Sequence, residues 1–480
     1  MLSAHGVETR PFRAAEDDWA NLCAQYLPHE FNDSLWRSSH AVMDMVPDQG
    51  WKLHVTATIV TAPSVLKAVG HVLARNDACF KGPRTLGDLR KLNCGLFFGY
   101  TQIGKFLTIY PKDDAEACRF AQLLDEATRE FVGPAVPYER RISPGSNVYT
   151  RYGAFKSRPI DGKAGGPNVV LKPDGSLSPD NRTANPEWAE MPEGLVSPDA
   201  PEIRKPGLLK TRFRAYEPIS QRGKGGVYRA IDLAHAPAKA CILKEGRAAG
   251  ESDWDGSDGR SRLMREHEVL TALASTVAVP AIHAFFEDGP NRYLALEAIE
   301  GEPLAAILSP EQPLLDLASM LKLATAAAGL LDTIHSRGWV WRDLKPSNLI
   351  VGTSGELRPI DFEGAERSGT ADALPWGSFG YICPEWLTAS MVDPSQDCYA
   401  LGVVLHQLLT NHIPTSSQPL VAIDTVRSDV PSPLCKLIED LTSAEPAKRP
   451  SAAATLSRLG MLAHGLLAAG AINRNVETVA

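Results

Sequence analysis

The stretch HSRGWVWRDLKPSNLIV, residues 335–351, decides the fold of the C-terminal half of this 480-residue chain. It places Asp343 five residues before Asn348, with Lys345 between them. Phosphoryl transfer needs a carboxylate that orients the attacking hydroxyl and a nearby amide oxygen that holds Mg²⁺. The stretch therefore predicts a catalytic loop, in which Asp343 and Lys345 are catalytic residues and Asn348 is a metal ligand.

Residues on both sides of this loop extend the same prediction. Asp361 in the segment IDFEG follows Asn348 by thirteen residues and is the candidate second metal ligand. Lys244 lies in the apolar, strand-like segment CILKEG, and Glu266 lies in the helical segment RLMREHEVL. A lysine and a glutamate in these positions form the ion pair that positions nucleotide phosphates.

Together these residues resemble the eukaryotic-type protein kinase family over roughly residues 213 to 462. Three later segments match in the same order: YICPEWL with Glu385, DCYALGVVLHQLL with Asp397, and AKRPS with Arg449. The resemblance implies a bilobal kinase fold, ATP or GTP as the phosphate donor, and Mg²⁺ as the metal. It also implies that Glu385 pairs with Arg449.

Two positions near the catalytic loop depart from the family pattern. Trp341 stands where the family usually has a histidine, so we expect one structural contact to differ. The usual Asp-Phe-Gly triplet ends instead in Glu363, and a glycine follows only at Gly364. We expect this segment to move less freely than in a typical kinase.

The glycine-rich loop SQRGKGGVY, residues 220–228, is degenerate. It keeps Gly225 and Val227, which are the candidate nucleotide-binding residues of the loop. Ser220 and Arg222 replace the other two glycines, so the loop alone is weak evidence for nucleotide binding. One alternative is therefore a pseudokinase scaffold without phosphotransfer.

Bulk composition excludes several classes of function. The formal net charge of −8 argues against a dominant role on nucleic acid or on a membrane surface. The N-terminus has no apolar signal-peptide core, and no run of about 18 apolar residues is present. Eight scattered cysteines without a Cys-x-x-Cys pair favour reduced thiols, so we expect a cytoplasmic protein.

In the N-terminal half, the segment GWKLHVTAT, residues 50–58, alternates apolar and polar side chains. Its alternation predicts a strand on which Lys52 and His54 share one face. On spacing alone, that face is the solvent face of an amphipathic edge strand. Further along, the patterns predict a helix at 64–75, a strand at 106–111 and a helix at 114–133.

The N-terminal half resembles the phosphoserine/phosphothreonine lyase domain of class III lanthipeptide synthetases. In that family a lyase, a kinase and a cyclase follow one another in a single chain. The resemblance rests on WKLHVTAT (51–58), FK (80–81), IGKFLTIYP (103–111), ERRISPGS (139–146) and VYTRYGAF (148–155). It implies that a precursor peptide with a leader segment is phosphorylated on Ser or Thr, and that phosphate is then eliminated.

Elimination of phosphate needs a base at Cα, an acid at the leaving oxygen and cations around the phosphate. The resemblance makes Lys81 the candidate base and His54 the candidate acid, with Lys52 adding positive charge. A second ammonium group nearby favours the neutral form of Lys81, which can take a proton. The candidate phosphate and substrate contacts are Arg140, Arg151, Lys105 and Tyr110.

The expected fold class is multidomain α+β, with a phosphothreonine-lyase-like domain followed by a bilobal protein kinase. The expected units are the lyase-like domain at 1–155, a Gly/Pro-rich connecting segment at 156–212, the kinase domain at 213–465 and a tail at 466–480. The connecting segment is either an extended linker or an ordered connection with a hairpin. Because the tail has no room for a zinc-dependent cyclase, we expect the chain to stop at the dehydrated peptide. Either a separate cyclase or other tailoring enzyme then acts on it, or the product keeps its dehydroamino acids.

A second alternative from a different class stays open. The chain could be a Ser/Thr protein kinase whose N-terminal domain binds phosphopeptides without eliminating phosphate. Mutating Lys81 would then leave the phosphorylated product unchanged. The oligomeric state is not predicted by any of these patterns.

Overall fold

A computed structural model of the chain describes residues 10–30, 35–41, 44–156, 168–203, 207–415 and 418–468. It contains an α+β domain followed by a strand-rich lobe and a helical lobe, which confirms the expected multidomain α+β fold class. The domain boundaries stay predictions. Parts of the expected connecting segment and tail, at 157–167, 204–206 and 469–480, lie outside the described residues.

The first domain is built on a seven-stranded antiparallel sheet. Its strands are β1 (His29–Glu30), β2 (Trp36–Ser38), β3 (Gln49–Val55), β4 (Cys79–Pro83), β5 (Leu107–Tyr110), β6 (Arg140–Arg141) and β7 (Val148–Ala154). They lie side by side in the order β1-β2-β4-β5-β3-β7-β6. Because β3 pairs with β5 on one side and with β7 on the other, it is an internal strand and not the edge strand that spacing alone suggested.

Helices cover one face of this sheet and leave the other face to polar side chains. The helices are α1 (Arg10–Tyr26), α2 (Ala62–Arg75), α3 (Leu86–Cys94) and α4 (Asp114–Thr128). Leu53 and Val55 are fully buried in the same apolar core as the inner faces of α2 and α4. Since successive strand residues alternate between faces, Lys52 and His54 point to the opposite side of the sheet.

The segment after the first domain contains a hairpin, as one of the two alternatives for the connection predicted. Its strands are β8 (Val169–Leu171) and β9 (Leu177–Pro179). The segment lies against the first domain: Gln49 Nε2 donates to the Leu171 carbonyl (2.7 Å) and Trp51 Nε1 to the Glu190 carbonyl (3.2 Å). Leu195 is buried in the core of the domain.

The strand-rich lobe is a five-stranded antiparallel sheet with one long helix. Its elements are β10 (Phe213–Arg222), β11 (Gly225–Asp232), β12 (Lys239–Gly246), α5 (Gly259–Leu273), β13 (Ile282–Asp288) and β14 (Asn291–Glu297). The strands lie in the order β10-β11-β12-β14-β13. Helix α5 starts at an Asp258 capping box and packs beside β12.

Among the described residues, the largest apolar core lies mostly in the helical lobe and extends to α5 and β14 of the strand-rich lobe. The helices of the helical lobe are α6 (Leu304–Ile307), α7 (Leu317–Ser336), α8 (Ser395–Thr410), α9 (Ser432–Leu441) and α10 (Ala452–Ala468). Short strands complete it: β15 (Gly301–Pro303), β16 (Trp339–Val340), β17 (Leu349–Gly352), β18 (Leu357–Pro359) and β19 (Glu366–Arg367). Among the described residues, α7 alone is long and apolar enough to cross a membrane by length and composition, and its apolar side chains lie in this core.

Candidate functional site

One cavity between the two lobes brings together every residue that the sequence predicted for phosphoryl transfer. The residues lining it include Gly225, Val227, Lys244, Glu266, Asp343, Lys345, Asn348 and Asp361. They come from the glycine-rich loop, β12, α5, the catalytic loop before β17 and the segment after β18. Residues more than a hundred positions apart thus share one cavity.

The predicted lysine–glutamate pair is formed. Lys244 Nζ donates to Glu266 Oε1 (2.6 Å) and to Asp361 Oδ1 (2.9 Å). Burial alone would lower the pKa of Lys244, but the two carboxylates outweigh burial and raise it. Lys244 is therefore a fixed positive charge at the floor of the cavity, where a nucleotide phosphate needs one.

The catalytic loop is ordered around Asp343. Lys345 Nζ donates to Asp343 Oδ2 (2.6 Å) and Asn348 Nδ2 donates to the same oxygen (3.0 Å). Ser378 Oγ donates to Asp343 Oδ1 (2.7 Å) and accepts a hydrogen bond from Lys345 (2.6 Å). Burial raises the pKa of Asp343, which suits a carboxylate that orients a hydroxyl.

Asp397 at the start of α8 holds the catalytic loop from behind. Its carboxylate accepts hydrogen bonds from the backbone N–H groups of Trp341 and Arg342, each at 2.7 Å, and lies 2.9 Å from His335 Nε2. Trp341, which stands where the kinase family usually has a histidine, makes its own contacts with the Asp361 segment. Its indole Nε1 donates to the Asp361 carbonyl (3.0 Å), and its ring stacks on Phe362. The loop and the Asp361 segment are thereby tied together.

The glycine-rich loop is fastened to the Asp361 segment by a pair that the sequence did not predict. Lys224 Nζ donates to Glu363 Oε1, and both side chains are largely buried. Glu363 occupies the position where the family has glycine. The pair therefore supports the expectation that this segment moves less freely than usual.

The two candidate metal ligands fit Mg²⁺ by their chemistry. Asn348 uses its amide nitrogen to donate to Asp343, so its amide oxygen is the atom that can bind a cation. The charges of Lys244, Lys224 and Lys345 overcome the effect of burial on Asp361, and the pKa of this carboxyl is lowered. A carboxylate and an amide oxygen, completed by water and phosphate oxygens, form the ligand set that Mg²⁺ prefers.

A second set of predicted residues lies on the polar face of the first domain's sheet. His54 pairs with Thr108 on β5 and with Tyr149 on β7, and Lys81 on β4 pairs with Thr108 from the other side. Residues paired across strands point to the same face. His54 and Lys81 therefore flank Thr108 in one row, and Lys52 lies opposite Arg151 in the next row.

Glu139, which the sequence did not single out, lies at the centre of this face. His54 Nδ1 lies 2.6 Å from Glu139 Oε2, and Lys105 Nζ lies 2.8 Å from Oε1. Arg151 Nε lies 3.6 Å from Oε1, while its Nη1 donates to Asp180 Oδ1 (2.5 Å). Glu139 lies in the ERRISPGS segment, but nothing in the sequence pattern indicated its contacts with these basic residues.

Burial controls the protonation of these groups. It lowers the pKa of His54 to about 4 and, with the charge of Arg151, holds that of Lys52 well below its usual range. Burial also lowers the pKa of Lys105. Burial alone would raise the pKa of Glu139, but its three basic partners outweigh burial and lower it.

The remaining residues predicted for this site, Lys81, Tyr110 and Arg140, differ in their burial and in their contacts. Lys81 is half-buried, with Nζ 4.4 Å from the centre of the Trp36 ring. Tyr110 is buried edge-on against Phe155, and burial raises its pKa, so its phenol stays neutral. Arg140 pairs with Thr150, which in turn pairs with Leu53 on the side of the sheet that faces the helices.

Arg141, which the sequence did not single out, lies on the same side of the sheet as His54. It pairs with Tyr149, the partner of His54, and its Nε donates to the Tyr149 hydroxyl (2.9 Å). Because neighbouring strand residues face opposite sides, only one member of the Arg140-Arg141 pair reaches the polar face from this register. The sequence could not decide which one.

Comparison with known proteins finds a family model that matches each half of the chain. The model of the RamC N-terminal domain matches residues 24–204, and that of the protein kinase domain matches residues 216–459. The probable SapB synthase of Streptomyces coelicolor is 29% identical over 373 residues, which cover 74% of this chain and 39% of that protein. The serine/threonine-protein kinase PknL of Mycobacterium tuberculosis is 28% identical over 237 residues, which cover 48% of this chain and 58% of that kinase.

The matched regions thus span about two fifths and three fifths of these two relatives. The kinase match covers half of the chain and includes every residue of the cavity between the lobes. The chain belongs to the protein kinase family, and its kinase domain follows a RamC N-terminal domain.

Proposed function

We propose that this protein dehydrates serine and threonine residues of a ribosomally made precursor peptide that carries a leader segment. The kinase domain phosphorylates the hydroxyl group, with ATP or GTP as the donor and Mg²⁺ as the metal. The first domain then eliminates the phosphate and leaves dehydroalanine or dehydrobutyrine. The product is electrophilic, so a separate cyclase or tailoring enzyme is the class of partner that would use it.

In the first step, Asp343 orients the peptide hydroxyl for attack on the terminal phosphate. Lys345 and Ser378, which both bind Asp343, hold the carboxylate in place. Lys244 positions the nucleotide phosphates, and Mg²⁺ bound at Asn348 and Asp361 would neutralise the charge that develops on them.

In the second step, Lys81 acts as the base and takes the proton from Cα of the phosphorylated residue. The electrons of that C–H bond form the Cα=Cβ double bond as the Cβ–O bond breaks, and phosphate leaves. A phosphate dianion beside His54 opposes the effect of burial and raises its pKa, so that protonated His54 gives its proton to the leaving oxygen. Lys52, Lys105 and Arg151 stabilise the negative charge.

The observation that carries this proposal is the charge of the polar face. Three basic side chains, Lys52, Lys105 and Arg151, are buried around His54, and among the described residues their acidic partners are Glu139 and Asp180. Burial lowers the pKa of Lys52 and of Lys105, so a phosphate dianion bound among these side chains would favour their charged forms and be stabilised by them. Placing this face in the same chain as a kinase keeps the peptide at high local concentration between the two steps.

The eight cysteines are compatible with the cytoplasm, where thiols stay reduced. All eight are free in the structure, and six of them are buried. We therefore place the reaction in the cytoplasm.

Intact-mass spectrometry of the precursor peptide tests the proposal. The peptide is incubated with ATP, Mg²⁺ and either the wild-type protein, Lys81→Ala or Asp343→Asn. We expect water-loss species with wild type, phosphate adducts with Lys81→Ala and unmodified peptide with Asp343→Asn. Water-loss species at the wild-type rate with Lys81→Ala would overturn the assignment of the base.

A phosphopeptide-binding domain without lyase activity is the second candidate. It is favoured by the burial of Lys52, whose Nζ donates to the Ala154 carbonyl (2.7 Å), and of Arg151, which already binds Asp180. Such a domain would bind phosphate through the same face without breaking a bond. Phosphate adducts with both wild type and Lys81→Ala would support this candidate.

A further inference from the structure

The first domain touches the kinase domain through a segment that includes the end of α3 and the loop after it. We call residues 90–100 the docking segment. Three of its residues, Arg90, Cys94 and Tyr100, contact three different parts of the strand-rich lobe. Each of these parts lies next to the nucleotide cavity.

Arg90 is linked to the helix that carries Glu266 through Asp253, which lies in the loop before that helix. Its Nη2 donates to Asp253 Oδ1 (3.0 Å), and Asp253 Oδ2 accepts from Arg262 Nη2 (2.7 Å) on α5. The side chains of Asp253 and Arg262 are each only 5% exposed, so solvent screens this triad weakly. One turn further along α5, Glu266 binds Lys244.

Cys94 contacts the glycine-rich loop directly. Its carbonyl oxygen accepts a hydrogen bond from the Gly223 backbone N–H (3.0 Å), at the turn between β10 and β11. The approach is so close that a Cβ on Gly223 would overlap the carbonyl oxygen of Asn93. The next residue, Lys224, is the one that reaches Glu363 across the cavity.

Tyr100 contacts the loop through Arg247. The guanidinium of Arg247 lies over the Tyr100 ring, 5.1 Å from its centre. The same guanidinium donates to the Arg222 carbonyl (3.2 Å) and to Glu245 Oε2 (2.9 Å). The backbone N–H of Arg247 also donates to the Lys224 carbonyl (2.8 Å).

We propose that Arg90, a residue of the first domain, is a positioning residue of the kinase site. Through Asp253 and Arg262 it fixes α5, and with Cys94 and Tyr100 it fixes the glycine-rich loop in the nucleotide-binding arrangement. The degenerate loop, which lacks two of its usual glycines, is thus supported from outside the kinase domain. The coupling is reciprocal, so nucleotide binding strengthens the docking of the first domain. The proposal concerns the kinase alone and does not depend on elimination.

The affinity for MgADP, measured by titration calorimetry on the full chain, tests this role. Arg90→Ala should weaken binding by at least about fivefold, at the lower end of typical coupling between sites. Arg90→Lys, which keeps the charge, should restore part of the affinity. Arg260→Ala is the control, because Arg260 lies on α5 near Arg262 but pairs with exposed Glu287.

Two further measurements separate positioning from a general loss of structure. Wild type and Arg90→Ala should unfold at similar temperatures without nucleotide, since Asp253 keeps Arg262 as a partner in the variant. In the wild type, saturating MgADP should slow amide hydrogen exchange in the docking segment. Unchanged MgADP affinity in Arg90→Ala, or unchanged exchange in the docking segment, would overturn the proposal.

Discussion

Glu139 contacts three basic side chains, His54, Lys105 and Arg151, that lie on β3, before β5 and on β7. It binds His54 at Nδ1, which leaves Nε2 as the ring nitrogen that would give a proton in the proposed elimination. The sequence showed His54 and Lys52 through their alternation, but nothing marked Glu139. A lone glutamate in a loop is recognised only when the fold brings its partners to it.

Replacing Glu139 with Gln should slow elimination by about a hundredfold while the kinase step is unchanged. The amide keeps the volume but loses the charge that orients His54 and pairs with Lys105. The measurement is the rate of phosphate release from a phosphorylated precursor peptide. Glu116→Gln, whose carboxylate pairs with exposed Arg119 on the far side of the domain's helix α4, serves as the control. An unchanged rate would mean that Glu139 is only structural.

His54 should make the first domain less stable toward acid. Burial lowers its folded-state pKa to about 4 from an ordinary value of 6.5. Between these values the unfolded chain binds a proton that the folded chain does not, so the free energy of unfolding falls as the pH falls from 6.5 to 4. This contribution is fully present above pH 6.5.

Denaturant unfolding of wild type and His54→Gln over this pH range measures the effect. The difference in the free energy of unfolding between the two proteins should shift steadily in favour of the variant as the pH falls. Because Lys52 and Glu139 are present in both proteins, the comparison isolates His54. Parallel curves for the two proteins would contradict the burial argument.

At the scale of elements, local patterns predicted whether a segment is a helix or a strand. They did not predict which strands lie beside it in the sheet. The helices predicted at 64–75 and 114–133 correspond to α2 and α4, and the strand at 106–111 corresponds to β5. Alternation in 50–58 predicted the strand but not its central position, because pairing partners are set by residues far along the chain. For the same reason the choice between Arg140 and Arg141 depended on the register of β6.

The kinase elements were more predictable because their motifs have fixed spacing. Glu385 and Arg449 form the expected ion pair, at 2.5 and 2.8 Å. By contrast, the Lys224–Glu363 pair and Ser378 were missed, since each joins a loop to a distant segment.

Helix α8 should control the stability of the catalytic loop through Asp397. The side chain of Asn has an NH2 group in place of one carboxylate oxygen. One of the two backbone N–H groups that bind Asp397 would therefore lose its acceptor. Asp397→Asn should therefore cost about 3 kcal/mol in the free energy of unfolding of the kinase domain, as for a broken buried charge contact. Denaturant unfolding checks this value. Asp440→Asn, at a partly exposed pair with Arg458, is the control, and an equal loss in both variants would contradict the assignment.

At the scale of the whole molecule, the two sites should be separable in action. A mixture of Asp343→Asn, which lacks the kinase step, and Lys81→Ala, which lacks elimination, should produce dehydrated peptide. Phosphopeptide should accumulate in the mixture and not with wild type, because the intermediate must cross the solution between chains. Time-resolved intact-mass spectrometry follows both species. A mixture that makes only phosphopeptide would contradict the idea of two independent sites.

The most direct measurement of the central claim uses a precursor peptide that already carries phosphoserine, with no nucleotide and with Mg²⁺ chelated. Wild type and a control variant at exposed Lys91, Lys91→Ala, should both convert it to the dehydroalanine peptide, seen as a loss of the mass of phosphoric acid, and Lys81→Ala should not. Recovery of intact phosphopeptide with wild type, or of free serine peptide, would contradict phosphate elimination by the first domain.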